Sequence, residues 1–205
     1  MRSLKLCAVL LAGLAVVGLG LSCQAAETKL KIGDKAPDFK DLPGVDGKKH
    51  SLSDYADAKI VVVVFTCNHC PVAQAYEDRI IQFQKDYKDK GVQVIAINSN
   101  SPKIVPADSF EKMVERAKEK GFNFPYVVDE TQEVAHAYGA TVTPHFFVLC
   151  QERKVAYMGA MDDNNNPDKV KEHWLRDAVD ALLAGKTPPK QVTQQRGCTI
   201  KWEKK

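Results

Sequence analysis

Strongly apolar runs alternate with segments of helical periodicity along most of this 205-residue chain. Residues 60–66 are almost entirely apolar, and Val92–Ile97 is a second run of the same kind, so both are predicted to be buried strands. Between them, apolar residues recur at helical spacing from Pro71 to Lys90. A helical connection between two buried strands predicts that the strands are parallel, as in an α/β fold.

The rest of the chain carries shorter elements of both kinds. Periodicity and turn residues predict helices over 109–120, 131–138 and 168–184, a strand at 126–128, and a hairpin of strands at 145–150 and 155–158. Asp108 or Ser109 can cap the first of these helices. Residues 27–58 are polar and turn-rich, with one helical turn expected at 51–55, and the segment after Lys186 is expected to lie over the surface.

The first 26 residues have the layout of a secretory signal rather than of a folded element. A short basic start precedes the apolar residues 6–21, and small residues follow. This pattern predicts export with cleavage after Ala25, which would leave the protein periplasmic or secreted. A retained membrane anchor is one alternative. Another is a lipoprotein leader, because residues 20–23 partly resemble the bacterial lipoprotein box, which would place a lipid on Cys23.

The remaining length suits a single domain, since about 180 residues can bury a full hydrophobic core. We therefore expect a leader at 1–26, a domain at 27–185 and a surface tail at 186–205. Without the two basic residues of the leader, 27 of the 29 Lys and Arg residues remain against 26 acidic residues, a net charge of +1. That balance argues against nucleic acid or an anionic surface as the partner.

The strongest chemical signal is the segment Cys67-Asn68-His69-Cys70-Pro71, which follows the first apolar strand and opens the first helix. A disulfide across two intervening residues closes a very small loop, so it would restrain little of the unfolded chain. A redox role therefore explains the pair better than a structural staple does. Cys67 is expected to be the partly exposed nucleophile, since the helix dipole and free N–H groups favour its thiolate, and Cys70 the more buried resolving thiol.

The element order, the CxxC after a strand and the downstream Thr143-Pro144 together resemble the thioredoxin fold. The opening segment Gly33-Asp34-Lys35-Ala36-Pro37-Asp38-Phe39 is similar to that of the peroxiredoxin and redoxin branch. The resemblance implies a thioredoxin-like α/β fold: a central mixed sheet flanked by helices, with an N-terminal extension and an inserted α–β element. Residues 162–164 and 197–202 are similar to features of an exported peroxiredoxin-like subgroup.

This resemblance also implies a chemistry. A thiol–disulfide oxidoreductase would carry its electrons in a Cys67–Cys70 disulfide, so no cofactor and no metal would be needed. Pro144 is then expected to be a cis proline that faces the disulfide, and Thr143 and Pro144 would line the groove that holds a substrate chain as an added strand. The partners would be exported proteins with thiols or disulfides, and a periplasmic or membrane redox donor or acceptor.

His69 is expected to tune the pair, because an imidazole beside Cys67 can donate to its thiolate or carry positive charge. A stabilised thiolate makes the disulfide more oxidising, and oxidising members of the resembled family also carry His before the second Cys. The exported branch with the inserted element looks more like reductases, so the direction of electron flow stays open. The strand before the CxxC lacks the buried acid that many thioredoxins keep there, and Glu77, Asp78 and Asp129 are not expected to replace it.

Two other functions are compatible with parts of this sequence. A thiol peroxidase would need a Pro-x-x-x-Thr-x-x-Cys arrangement, which neither Cys67 nor Cys70 has, although Thr66 adjoins the first of them. A copper-binding metallochaperone could use two soft thiolates and a histidine, with His136 or His145 as the third ligand if folding brought it close. Related metallochaperones separate their cysteines by three residues, whereas this chain has two between them.

Two further cysteines follow the CxxC. Cys150 ends an apolar strand, and a buried inert thiol is its expected state. Cys198 lies in the tail, where three roles are open: a free thiol, a bridge to Cys150, or a third redox cysteine that reaches Cys67. A structural or incidental role is favoured for Cys198, and Trp202 is expected to anchor the tail on the domain.

Overall fold

The computed structural model describes residues 30–204, and its strands form one large sheet and two small pairs. The strands are β1 (Leu42–Pro43), β2 (Lys49–His50), β3 (Ile60–Phe65), β4 (Val92–Asn98), β5 (Tyr126–Val128), β6 (Val142–Thr143), β7 (His145–Leu149), β8 (Val155–Gly159) and β9 (Cys198–Thr199). The α-helices are α1 (Pro71–Tyr87), α2 (Phe110–Lys120), α3 (Glu133–Tyr138) and α4 (Trp174–Leu183). A 3-10 turn at Leu52–Tyr55 confirms the helical turn predicted before β3.

Five strands form the central sheet, in the order β5-β4-β3-β7-β8. β3 pairs in parallel with β4 and antiparallel with β7, so the sheet is mixed. The parallel pair predicted from the two apolar runs is confirmed, with α1 as the crossover. β5 extends the sheet beyond β4, and β8 completes the hairpin after β7, which gives the thioredoxin-like arrangement expected from the resemblance.

Side chains alternate between the two faces of β3, so each face of the sheet has its own core. Val62 and Val64 belong to a cluster with residues of α1 and α4, whereas Val61 and Val63 belong to a cluster with residues of α3 and of the segment before β3. All four valines are fully buried. The sheet is thus flanked by packed elements on both faces, and this packing fixes the end of β3, where the CxxC begins.

The start and the end of α2 agree with the sequence signals. The Ser109 hydroxyl accepts a hydrogen bond from the backbone N–H of Lys112 at 3.4 Å, so Ser109 caps the helix. Gly121 follows the last turn with a φ of 67°, a left-handed conformation that glycine adopts without steric cost. Since Ser109 fills the capping position, the side chain of Asp108 is available for another role.

The last helix begins later than the sequence predicts. Periodicity indicated a helix over 168–184, but α4 starts at Trp174, after a short 3-10 turn. The carboxylate of Asp163 accepts hydrogen bonds from the backbone N–H groups of Lys171 and Glu172, at 2.9 and 3.2 Å. These bonds hold a non-helical segment before α4, and a pattern of apolar residues carries no sign of them.

The tail after α4 is bound to the domain at several points. β9 pairs antiparallel with β6. Ile200 is 3% exposed and belongs to the core cluster on the α3 face of the sheet. Trp202 stacks on His136 with the ring centroids 4.0 Å apart, so the predicted anchoring by Trp202 is confirmed.

Within residues 30–204, no helix has both the length and the apolar character needed to cross a membrane. The predicted leader at 1–26, its cleavage after Ala25 and the lipid on Cys23 lie outside the described residues. The boundaries expected between leader, domain and tail stay predictions.

Candidate active site

The two cysteines of the CxxC lie where the end of β3 meets the start of α1. Cys67 lies in the loop after β3, and Cys70 is the capping residue that immediately precedes α1. Pro71 takes the first helical position, which tolerates proline because an N–H there has no partner within the helix. Cys70 therefore lies one position before the first residue of α1.

Thr143 contacts both sulfur atoms of the pair. Its hydroxyl oxygen lies 3.1 Å from Sγ of Cys67, and its carbonyl oxygen lies 3.3 Å from Sγ of Cys70. The peptide bond between Thr143 and Pro144 is cis, as the resemblance implied. The CxxC and the Thr-Pro segment, which the sequence analysis assigned to one site, therefore meet, while the catalytic roles of Cys67, Cys70, His69 and Pro144 stay predictions.

Both sulfurs are shielded from solvent. Cys67 is 2% exposed and Cys70 is 0% exposed, so the expectation of a partly exposed Cys67 is wrong. Two contacts explain the difference. Thr143 covers Cys67, and Cys198 packs against the cysteine pair from the tail strand, where it stands opposite Thr143.

The hydrogen bonds around the pair favour a thiolate on Cys70 rather than on Cys67. Once ionised, Cys70 can accept hydrogen bonds from the thiols of Cys67 and Cys198 and from backbone N–H groups, and these donors lower its pKa. The Thr143 carbonyl accepts from Cys70 only while that thiol is protonated, so it opposes the shift but is outnumbered by the donors. The pKa of Cys67 is raised because it donates to Cys70, is buried and lies near the carboxylate of Asp108. The lower pKa was expected at Cys67, because nothing in the sequence shows that Cys198 reaches Cys70.

We expect the reduced protein to contain one thiolate with a pKa well below the ordinary thiol value of about 8.5, measured by the ultraviolet absorbance of the thiolate during a pH titration. Cys70→Ser should remove this transition, and Cys150→Ser should leave it unchanged.

Because folding lowers the pKa of Cys70, its thiolate stabilises the folded reduced chain fully above a pH of about 8.5, and this contribution is lost as the pH falls through the folded-state pKa. A low transition that survived in Cys70→Ser but disappeared in Cys67→Ser would place the charge on Cys67 instead.

Asp108 organises the loop between the two cysteines, a role that sequence reasoning missed. Its side chain is buried, and one carboxylate oxygen accepts from the backbone N–H groups of Asn68 and His69, at 2.7 and 3.1 Å. The other oxygen lies 2.5 Å from Nδ1 of His69 and accepts from the side-chain amide of Asn100 at 2.8 Å. A buried acid is therefore present beside the CxxC, although it comes from the turn before α2 and not from β3.

His69 lies close to both Cys67 and this carboxylate. A ring nitrogen of His69, Sγ of Cys67 and a carboxylate oxygen of Asp108 all lie within 4.8 Å of one another. The contact with Asp108 fixes the imidazole, and the distance to Cys67 is short enough for an electrostatic effect on the sulfur. The arrangement is compatible with the tuning role predicted for His69.

Among residues 30–204, Cys67, His69 and Asp108 form a group of side chains close enough together to hold a metal ion. The set differs from two thiolates and a histidine, which would suit Cu(I). His136 and His145, the third ligands considered from the sequence, pack against aromatic rings instead. The carboxylate of Asp108 is already engaged by four groups, so metal binding would break the hydrogen bonds that hold the loop.

The other acids considered from the sequence have partners of their own. Glu77 accepts two hydrogen bonds from the guanidinium of Arg116. Asp129 accepts from the backbone N–H of Ala135 in α3, and the exposed Asp78 contacts Lys120. These contacts support the expectation that none of the three serves the CxxC.

The two remaining cysteines lie at opposite ends of β7. Cys150 follows the last residue of the strand and is only partly buried, whereas Cys198 stands opposite Thr143, two residues before its start. The five residues of β7 span about 17 Å, so a bridge between Cys150 and Cys198 is excluded. Sγ of Cys198 lies 2.7 Å from Sγ of Cys70, a neighbour that the sequence analysis did not consider for it.

Three comparisons place this fold and site among known proteins. The Redoxin family model matches residues 31–174. The thiol-disulfide oxidoreductase ResA of Geobacillus kaustophilus is 31% identical over 150 residues, which cover 72% of this chain and 81% of that protein. A Mycobacterium tuberculosis protein named "Putative peroxiredoxin Rv2521" is 30% identical over 113 residues, which cover 55% of this chain and 66% of that protein.

A solved structure is similar over a larger part of the chain. An uncharacterized conserved protein from Geobacillus kaustophilus has 40% sequence identity and a TM-score of 0.79, and the match covers 86% of this chain and 94% of that chain. The family match spans most of the described residues, and the mixed sheet, the cysteine pair and the Thr-Pro segment all lie within it. The chain therefore belongs to the Redoxin family, in the thioredoxin-like superfamily, and is an oxidoreductase.

Proposed function

We propose that this protein is an exported thiol–disulfide oxidoreductase that exchanges disulfides with other proteins through Cys67 and Cys70. The observation that carries the proposal is the shared contact of both sulfurs with Thr143, beside the cis Pro144. Two cysteines in such a site need no other redox group, because their own sulfur atoms take up and release the two electrons.

The packing of the two cysteines against each other suggests how the reaction begins. Cys67 can donate its proton to Cys70, whose lowered pKa favours the thiolate. When Cys67 attacks a client disulfide, its proton can pass to Cys70, so the partner thiolate serves as the base. Cys70 passes this proton to the client sulfur released first, and its thiolate then attacks Sγ of Cys67 in the mixed disulfide. The second client sulfur leaves as a thiolate, and a Cys67–Cys70 disulfide remains. The reverse sequence oxidises a client dithiol.

The proposed partners follow from this chemistry and from the relatives. The ResA relative is named as a thiol-disulfide oxidoreductase, which supports protein thiols and disulfides as clients. The signal-like segment at 1–26 supports export, and hence a periplasmic or secreted location or a lipid anchor at Cys23. A periplasmic or membrane redox partner would reset the pair. Neither a cofactor nor a metal enters the proposed reaction.

A thiol peroxidase is the competing assignment, since one relative is named as a peroxiredoxin. Such an enzyme orients the peroxide with a threonine and an arginine. Thr143 supplies a hydroxyl at Cys67. The five arginines of residues 30–204 have other partners, which are Asp162, Glu77, Asp86 and backbone carbonyls in two loops. This distribution favours disulfide exchange as the primary assignment.

The decisive experiment captures the client on Cys67. Reduced Cys70→Ser protein, mixed with a disulfide-bonded peptide, should accumulate a mixed disulfide at Cys67, because the resolving sulfur is absent. Intact-mass measurement before and after addition of dithiothreitol identifies the adduct, and peptide mapping gives its position. Cys67→Ser is the matched control and should form no such adduct on the CxxC segment.

A parallel assay separates the two enzyme classes. Wild-type protein should reduce the peptide disulfide in the presence of dithiothreitol faster than it consumes hydrogen peroxide under the same conditions. Rapid peroxide consumption with no captured peptide on Cys67 would reject the proposal in favour of a peroxidase.

A further inference from the structure

We propose that Cys198 is a third catalytic cysteine, which forms a disulfide with Cys70 by exchange with the Cys67–Cys70 disulfide. The inference rests on the proposed function for its place in the reaction, but the bond itself can be tested without any client. The starting observation is the distance of 2.7 Å between Sγ of Cys198 and Sγ of Cys70. The two sulfurs of a disulfide lie about 2.05 Å apart, so bond formation needs a further approach of less than about 1 Å.

The backbone brings Cys198 to this position. β9 pairs antiparallel with β6, with Cys198 opposite Thr143, and the backbone N–H of Cys198 lies 3.4 Å from Sγ of Cys70. A Cβ added at Gly197 would overlap the carbonyl oxygen of Thr143. The absence of a side chain at Gly197 therefore permits the close approach that seats its neighbour against Cys70.

Contacts beyond Cys198 hold the strand in place. Ile200 is buried in the core, and its backbone N–H donates to the carbonyl of Thr141 at 3.0 Å. The backbone N–H of Lys201 donates to the side chain of Asn100 at 2.8 Å, and Trp202 stacks on a histidine of α3. Cys198 is thus positioned by an ordered segment that packs into the domain, which distinguishes it from a thiol on a loose terminus.

Cys70 is the sulfur that both other cysteines reach. Cys70 packs with Cys67 in one buried cluster, its Sγ lies 2.7 Å from that of Cys198, and it is fully buried. Cys198 is the least buried of the three, since it is partly exposed at the edge of the site. A disulfide that starts between Cys67 and Cys70 can therefore be passed outward to the tail.

The exchange conserves electrons and protons. The sulfur of Cys198, as a thiolate, attacks Sγ of Cys70, a bond forms between these two sulfurs, and the bond between Cys67 and Cys70 breaks. The electron pair of the broken bond leaves with Cys67, which takes up the proton that Cys198 has lost. One disulfide is replaced by another, so no external oxidant or reductant enters this step. Cys67 is then free to react again while the oxidising equivalent is stored on the tail.

Burial and the hydrogen bond to Cys70 raise the pKa of Cys198 to about 11 in the reduced protein. Part of that rise depends on negative charge at Cys70. Once Cys70 is in a disulfide, it carries no charge and no longer raises the pKa of Cys198 electrostatically. The Cys198 thiolate then forms more readily.

The test maps disulfides in the full-length protein after oxidation by diamide, which takes two electrons and two protons from a pair of thiols. After an acid quench, free thiols are blocked with N-ethylmaleimide and the chain is cut with trypsin. Cleavage at Lys and Arg leaves the CxxC in peptide 60–79, Cys150 in 121–153 and Cys198 in 197–201, while Cys7 and Cys23 share peptide 6–29. A bond from the CxxC to Cys198 therefore joins 60–79 to 197–201. We expect this joined species in wild type and in Cys67→Ser, and its loss in Cys70→Ser.

A second variant tests the geometry without removing a sulfur. Gly197→Ala should lower the yield of the joined species, because the added methyl group pushes the strand away from Thr143. The control is Thr199→Ala, which changes an exposed side chain of the same strand and should leave the yield unchanged.

Two results would overturn the inference. One is an oxidised wild type in which Cys198 is alkylated throughout and only the 60–79 peptide carries a disulfide. The other is a joined species that persists in Cys70→Ser and disappears in Cys67→Ser, which would make Cys67 the partner. Failure of the proposed function gives a different result: the joined species would form with diamide, but no peptide would be captured on Cys67.

Discussion

Replacing Cys67 with serine is expected to lower the rate of disulfide exchange with a peptide disulfide by about 10³-fold or more, the scale on which enzymes lose activity when a nucleophile is removed. Serine has nearly the size of cysteine, and its hydroxyl can still form hydrogen bonds with Thr143 and Cys70, so the buried site should keep its packing. A hydroxyl does not replace a thiolate as the attacking group in disulfide exchange. The rate of peptide-disulfide reduction with dithiothreitol as the electron source measures the loss.

Cys150→Ser is the matched control, because this cysteine lies beyond the far end of β7 from the site. Its exchange rate should equal that of the wild type. A Cys67→Ser protein that still exchanged disulfides at nearly the wild-type rate would contradict the prediction. It would show that Cys70 and Cys198 suffice as the dithiol, and that clients meet the tail cysteine first.

The tail strand bears directly on how a client could bind. In the resembled fold, a substrate chain adds as a strand beside the cis proline, but here β9 already pairs with Val142 and Thr143 at that edge. A client that used the same edge would have to displace β9. Since Cys198 moves with β9, displacement would remove a hydrogen-bond donor from Cys70 and raise the pKa of that thiol. Client binding and the state of the resolving sulfur would thus be coupled through the tail.

The parts of the fold that could be predicted from sequence are those determined by residues close together in the chain. The buried strands β3 and β4 carry unbroken apolar runs, and Gly121 ends α2 in the position where a glycine is expected. The meeting of the CxxC with Thr143 and Pro144 was predictable in a different way, because it followed from the resemblance of the element order to a known fold.

The residues that could not be predicted contact the site from positions far away in the sequence. Asp108 is about 40 residues from the CxxC, and its sequence context suggested a helix cap, which Ser109 provides instead. Cys198 is 128 residues from Cys70, and its position depends on a two-residue strand that carries no periodic signal. The burial of Cys67 and the thiolate preference of Cys70 follow from these contacts, so they could not be derived before the path of the tail was known.

Replacing Asp108 with alanine is expected to lower the free energy of unfolding by about 3–5 kcal/mol, the range found when a buried charged partner is removed. The carboxylate engages the backbone of Asn68 and His69, the ring of His69 and the amide of Asn100. Alanine would leave buried donors without an acceptor and a cavity beside the CxxC loop. Denaturant-induced unfolding of the reduced protein measures the change, with Asp57→Ala as the control, because Asp57 is exposed and should change the free energy little.

Asp108→Asn separates the electrostatic part of this role from the structural part. The amide has the shape of the carboxylate and keeps one acceptor oxygen, so the variant should lose less stability than Asp108→Ala. The negative charge near Cys67 is removed, and because that charge raises the pKa of Cys67, its pKa should fall. Cys67 should then react faster with iodoacetamide at neutral pH in the Asp108→Asn protein than in the wild type, as measured by peptide mapping. An unchanged rate at Cys67 together with the full loss of stability would mean that Asp108 acts on the site only by holding the loop in place.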